Sequence, residues 1–420
     1  MPNYLFKKAK IIDPKSSYNG DVKDVLIENG VITKIDDHIP EKDYRVITSG
    51  NLNVSVGWAD VGTFSGEPGF EHKETFASLI AASANGGFTL LAIQPNTYPV
   101  LDNASVVETI SRKSGNTTTK VIPIGAVTKS LEGNELTEMI DMHSSGVQMF
   151  SEGDKTVFHT GILLKALQYS SKFNGVIIQK PYDEYLSRGG LVHEGIYSTK
   201  KGLKGIPSIA EEIAIQKDLD VLKYAGGRLH FHNISTEESV ALIKKAKKDG
   251  LKVTCDVSSK HLLYTDEVNQ EIDSNYKVFP PYRLEKDRQA LIKGVKNGDI
   301  DCIVTAHNPQ DEDSKKLEFD LAEFGSTGLE TFLSELLLVL DIEKVIASIT
   351  VAPRKLIGEE VPTIKQGEKA ELTFFDPDIE WTYEGKYCQS KSTNSPFYNK
   401  QLKGKVVAVV NGSNTKVVYE

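Results

Sequence analysis

His230 and His232 stand one residue apart in the apolar run RLHFH (228–232). Imidazole nitrogens are ready ligands for zinc and related metals. Alternate side chains of a strand share one face, so a His-x-His can aim two rings at one cation. Taken alone, this pair points to a metal. His307, just beyond the apolar run CIVT (302–305), has no carboxylate or hydroxyl nucleophile in motif spacing and reads as a packed or hydrogen-bonded ring. The three cysteines, Cys255, Cys302 and Cys388, are widely separated and form neither a zinc pattern nor a disulfide framework, which suits a reducing compartment. The lysine-rich run KKAKK at 244–248 reads as a solvated helix face.

The elements that must position such residues alternate along the chain. Short apolar runs fall at 54–60, 88–94, 120–126, 146–150, 175–179, 228–232, 252–257 and 302–305. Between them lie segments with apolar spacing near 3.6, such as 72–87, 208–227 and 236–250, the last with Ser235 or Thr236 as its cap. Eight strand–helix units predict a (β/α)8 barrel over 54–359, with its functional residues at the C-terminal strand ends. Residues 1–53 and 360–420 hold short β runs, with Asn-Gly turns at 19–20 and 29–30. Neither end is long enough for its own core, so the two are expected to form one small composite β-sandwich. The charged stretch PQDEDSKKLEFDLAE (309–323) is expected to be the most flexible loop, at a place where barrels build mobile ones.

The bulk numbers narrow the class. The chain has 420 residues, 39% of them hydrophobic and 25% charged, which is ordinary for a globular protein of one large and one small domain. A net charge of −9 argues against nucleic acid or an anionic membrane as partner. No apolar h-region opens the chain and no run of 18 apolar residues occurs, so a cytoplasmic protein is expected.

Several motifs then occur in a fixed order: EPGFEHKET (67–75), QPNTYPVLDN (94–103), GGLVHEG (189–195), ISTEESVALIKKAKKDGLKVTCDVSSKHLLYTDE (234–267), DSNYKVFPPYR (273–283), FGSTGLETFLSELL (324–337) and SPFYNKQLKGKVV (395–407). In this order they resemble dihydroorotase, within the amidohydrolase superfamily, over nearly the whole chain. The resemblance implies a TIM barrel with a β-sandwich, and a binuclear zinc centre at the barrel mouth. It also places most of the family's metal ligands on residues of another type and leaves the fourth-strand acid open. The two histidines of the first strand fall on Gly62 and Phe64, the fifth-strand histidine on Lys180 and the sixth-strand histidine on Asn233. The eighth-strand aspartate, both ligand and proton shuttle, falls on Ala306 in TAHNPQ (305–310). The acidic pair after the fourth strand falls on Glu152 and Gly153, with Asp154 beside them. Of the substrate contacts, the arginine falls on Gly66, the asparagine of K-V-N-P-P on Phe279 and a histidine on Gln310, whereas Asn96 is kept.

In that register position 233 is the inward one, and His230 and His232 are expected to point away as structural residues. His261, His72 and Asp60 read as structural as well. Lys180 either snorkels to solvent or pairs with Asp60, Glu152 or Asp154, its charge replacing the lost cation. The expectation is a non-catalytic dihydroorotase-like protein of pyrimidine biosynthesis, without zinc or another cofactor. It would act as a structural or regulatory partner, with aspartate transcarbamoylase the partner that the resemblance suggests, and as a homo-oligomer. Two alternatives stand beside it. One is a metal-free cyclic amidohydrolase using Lys180 or His307. The other is a sensor that binds a ureido or carboxylate ligand through Lys180 and Asn96, with His307 in the same pocket.

Overall fold

The computed structural model describes residues 3–419. Eight parallel strands form the barrel: Trp58–Thr63, Phe88–Ile93, Lys120–Pro123 continued by Gly125–Ala126, Met149–Ser151, Val176–Gln179, Leu229–Phe231, Val253–Ser258 and Cys302–Val304. The third strand is broken because Pro123 has no N–H to give the ladder. Helices such as Phe76–Gly86, Ile209–Ala225, Glu237–Lys248 and Ile342–Ile357 surround it. Thr75 caps the first of these and Thr236 the third, each accepting a hydrogen bond from a backbone N–H three residues on.

Alternation fills the barrel. Ala59, Val61, Leu90, Ala92, Ile122, Ile124, Val176 and Ile178 are spaced by two and pack in one cluster, with Leu356 and Ile357 of the last helix closing its lower end. The ring closes through a side chain. Asp60 accepts hydrogen bonds from the backbone N–H of Thr305 at 2.8 Å and from the hydroxyls of Thr305 and Thr63 at 2.7 and 2.5 Å. Burial holds its carboxyl above the ordinary value despite these donors. Asp60 thus fastens the first strand to the last.

Both termini build one eight-stranded sheet folded over its own core, with Tyr4–Ile12, Glu371–Thr382 and Gln401–Asn411 as its long strands. The barrel was expected to begin at 54. Instead Asn53–Val56 lies in this sheet, pairing with Tyr4–Ile12 and Glu371–Thr382. The run reads as one strand because its break is only Gly57, where a β-carbon would come within 2.3 Å of Thr89. Arg354, fully buried, joins the units by donating to Gly57 O at 2.6 Å and pairing with Glu371. No helix among the described residues is long and apolar enough to cross a membrane.

Candidate functional site

A cavity of about 760 Å³ opens at the C-terminal ends of the barrel strands. Its floor begins where the first strand ends. Gly62 adopts a φ of +85°, which favours glycine. A β-carbon there would lie 2.5 Å from Cε1 and 2.7 Å from Nε2 of His232, and 2.9 Å from the Gln94 amide nitrogen. The room beside Gly62 is therefore filled by an imidazole from the sixth strand. Gly66 is closed in the same way, since a β-carbon would meet the Glu74 carbonyl oxygen at 2.3 Å. Phe64 is buried and tilts against Phe70, with centroids 6.1 Å apart.

His232 lines the cavity, which corrects the expectation that it points away. The cause is Asn233. Its φ of +60° bends the chain out of strand geometry, so 232 and 233 both reach the mouth. His232 Nδ1 donates to Asp256 Oδ2 at 2.8 Å, and His230 Nε2 donates to the same oxygen at 2.8 Å. The other nitrogen of His230 accepts from the Thr254 hydroxyl at 2.8 Å, and the Asn233 N–H donates to Asp256 Oδ1 at 2.6 Å. Burial pushes the Asp256 carboxyl up, but the two imidazoles outweigh it and hold the group well below the carboxylate range. The donor atoms of His230, His232 and Asp256 lie within 4.8 Å of one another, a grouping with the composition of a metal site.

Across the mouth, Lys180 ends the fifth strand. Its Nζ is 3.4 Å from Asp154 Oδ1 and 5.1 Å from the centre of the Phe279 ring. Of the three carboxylates considered for it, Asp154 is the partner. Asp60 is occupied at the barrel seam. Glu152 turns away to accept from the N–H and hydroxyl of Thr128 at 2.7 and 2.9 Å, and burial pushes its carboxyl up to about 7. Asn96 donates to Asp154 Oδ2 at 2.7 Å, while its own carbonyl oxygen is buried without a partner. Phe279 lies edge-on to Tyr182 and Phe324.

His307 is buried. Its Nδ1 accepts from the Gly328 N–H at 3.2 Å and its Nε2 faces Glu74 at 3.4 Å. Glu74, 233 positions earlier in the chain, is the carboxylate that motif spacing did not supply. Burial works against its charge, but His307 and the Ser390 and Ser78 hydroxyls hold its carboxyl below the ordinary value. His261 is structural, with Nδ1 accepting from Ser258 and Nε2 donating to Pro280 O at 3.0 Å. Ala306, at φ +47°, puts only a methyl group toward the cavity rim.

The loop expected to be flexible is clasped over the cavity. Lys277 Nζ donates to the carbonyls of Phe319, Asp320 and Ala322 at 2.6, 3.1 and 2.6 Å. Lys315 Nζ donates to those of Glu323 and Gly325 at 2.9 and 3.1 Å. The structure thus brings Gly62, Phe64, Asn96, Lys180, Asn233, Ala306 and His307 to one cavity. Sequence reasoning assigned no role to Asp256, Glu74, Gln94 and Lys277, although each lies inside one of the ordered motifs. The one available signal was the acid in KVTCDV, beside the strand that carries the histidines.

Comparison with known proteins bears on this arrangement. A family model described as "Dihydro-orotase-like" matches residues 53–239. A dihydroorotase of Acetivibrio thermocellus is 38% identical over 417 residues, covering 97% of this chain and 98% of that one. A dihydroorotase of Thermoanaerobacter is 38% identical over 411 residues, covering 96% and 94%. Among solved structures, an L-hydantoinase (dihydropyrimidinase) from Arthrobacter aurescens superposes with a TM-score of 0.85 at 22% identity, covering 100% of this chain and 97% of its own. A D-hydantoinase from a Thermus species gives 0.80 at 19%, covering 99% and 97%. At such identities the structural likeness speaks for the fold alone.

Proposed function

The chain belongs to the dihydroorotase family, and within that family we propose a binding rather than a hydrolytic role in pyrimidine biosynthesis. The observation that carries this reading is the Lys180 ammonium, held between Asp154 and the Phe279 ring at the position where the resemblance expects a metal-ligating histidine. A divalent cation about 4 Å from an ammonium is repelled by roughly 8 kcal/mol at an effective dielectric constant of about 20. Structural zinc sites bind with roughly 10–16 kcal/mol when all four ligands are present. Here the charge is adverse, Gly62, Phe64 and Ala306 offer no side-chain lone pair, and the Asn233 amide oxygen is taken by the Ser258 N–H at 3.1 Å. The residues present do not fit a two-zinc centre.

The buried His230–His232–Asp256 group is better described as a hydrogen-bond network than as a ligand set. Both imidazole N–H groups already satisfy one carboxylate oxygen, and Thr254 occupies the far side of His230. A metal held between all three groups would have to displace both protons from the Asp256 oxygen.

On this reading the fold is kept for its surfaces and its pocket, and the protein acts as a structural or regulatory partner. Aspartate transcarbamoylase is the partner to test first. Elemental analysis of the purified protein together with dihydroorotate hydrolysis decides the matter. The expected result is substoichiometric zinc, no turnover, and copurification with the transcarbamoylase. Stoichiometric zinc at the strand ends overturns the reading. So does chelator-insensitive hydrolysis abolished by Lys180→Ala, which would point to a metal-free amidohydrolase.

A further inference from the structure

Two isoleucines one turn apart, Ile209 and Ile213, stand on the outward side of the helix Ile209–Ala225. A surface helix ordinarily turns polar side chains to water. Phe158, Tyr185 and Leu186 extend the same apolar surface. The short helix Glu184–Ser187 is fixed beside the longer one by the Asp183 N–H, which donates to Ala210 O at 2.8 Å. The Phe158 and Tyr185 rings meet edge-on with centroids 5.8 Å apart, and Lys217 of the long helix lies over the Phe158 ring at 5.6 Å. All five apolar side chains are 40–64% exposed. Exposed apolar residues scattered singly are ordinary, whereas a contiguous group marks a contact surface.

Charge around this surface is sorted by side. At about 100° per residue, Glu212 and Lys217 lie about 140° apart on the helix, with Ile209 and Ile213 between them. On the side of Lys217, Arg188 stacks over the Tyr185 ring at 4.7 Å and gives one of its donors to the exposed Glu184 at 3.3 Å, leaving the others free. On the opposite side, Glu212 faces Glu238 of the helix Glu237–Lys248. Burial, Glu211 and Glu238 all raise the Glu212 carboxyl, and the buried Arg283 offsets them only in part. One flank therefore offers cationic donors, and the other holds acids short of counter-charge. A uniformly acidic or basic partner satisfies one flank and is repelled by the other, whereas a second copy of this chain satisfies both. A two-fold axis running along the Ile209–Ile213 stripe packs the isoleucines of the two copies together and lays the cationic flank of each on the acidic flank of the other. We propose that the chain pairs with a second copy of itself through this face, Arg188 and Lys217 of each protomer meeting Glu212 and Glu238 of the other. Arg188 also lines the cavity, so each copy stands at the rim of the other's mouth. The pairing goes beyond the reading of the mouth and does not depend on it, since zinc and turnover would leave it standing.

Light scattering across the size-exclusion peak of the full-length protein tests it, with a dimer expected at micromolar concentration. Ile213→Glu should weaken pairing at least tenfold by placing a charge on the axis. Arg188→Glu alone, and Glu212→Arg with Glu238→Arg, should each weaken it at least tenfold, because each copy then carries like charge on both flanks. An equimolar mixture of these two variants should return to a dimer, since opposite flanks now meet, and that recovery also shows that both are folded. Should a thermal melt find the charge reversals unstable, Ile209→Ser with Ile213→Ser removes only apolar area and must still release monomers. A monomeric unaltered protein overturns the pairing. So does a dimer that survives all of these substitutions, or a pair of folded charge variants that stay apart on mixing. A monomer whose copurification with aspartate transcarbamoylase is abolished by Ile213→Glu overturns it as well and gives the face to that enzyme.

Discussion

Two walls of one cavity handle charge in opposite ways. On the side of the sixth and seventh strands, Asp256 is fully buried and its oxygens are filled by two imidazoles and a backbone N–H. On the side of the fourth and fifth strands, Lys180 meets a largely exposed Asp154 at 3.4 Å, and the Asn96 carbonyl beside them has no partner. A saturated buried network rigidifies and is costly to break. A loose pair at a wet rim is worth little to the fold and keeps spare capacity for a ligand. The first wall is therefore the scaffold of the site and the second its contact surface.

The contrast predicts unequal responses to substitution. Asp256→Ala leaves two buried imidazoles without their acceptor and should lower unfolding free energy by about 3–5 kcal/mol in urea. It should also flatten the acid limb of stability. The folded carboxyl sits below its ordinary value, so its contribution is complete above the unfolded value near pH 4 and is lost as pH falls toward the folded one. A variant with its acid limb intact would show that the network does not hold the floor.

Next in size is Gly62→His, which meets both a left-handed backbone and the His232 ring. It should cost about 2–4 kcal/mol and recruit no zinc. The fuller series, adding Phe64→His, Lys180→His, Asn233→His and Ala306→Asp, should take up zinc only once His232 is shortened to alanine. Zinc uptake with His232 intact would show that the ring yields its place. Metal is expected to return before turnover, because Gly66, Phe279 and Gln310 still do not clamp a substrate.

Glu152→Gln should act with the opposite pH sense. The Glu152 carboxyl is raised from 4.5 to about 7 by burial, so it favours the fold below the unfolded value and loses that contribution as pH climbs through the folded one. The amide should stabilise the protein at pH 8 by about 1–3 kcal/mol and have no such effect at pH 4. Equal melting shifts at both pH values would rule out this account. Smallest for the fold is Lys180→Met, expected to change stability by less than about 1 kcal/mol in urea unfolding. A large stability loss would place Lys180 in the scaffold instead.

The barrel was legible because the strands keep their apolar runs near the expected positions, and buried parallel strands need such runs whatever the site does. That Gly62 and Ala306 offer no ligand atom was legible because an absent group can be read directly. The direction of His232 was not, since strand alternation fails at one left-handed residue, Asn233, and the tolerance of asparagine for that conformation does not say where it is used. Gln94 and Asp256 were hidden for a different reason. Their roles arise from neighbours on other strands, and only the closed barrel brings them together. The seam at Gly57 was invisible because a buried sheet strand and a buried barrel strand have the same composition.

The clasp formed by Lys277 and Lys315 reaches further than the cavity it covers. Both ammonium groups grip backbone carbonyls of residues 319–325, and every residue type offers a carbonyl. The covering loop is thus held by two anchor points that are indifferent to most of its own sequence. Leu317 and Leu321, 48% and 64% exposed, are free to drift with no loss of closure. Such a loop can explore new side chains over the mouth at little risk to the fold, and so it is the part of the molecule through which a new specificity is most easily acquired.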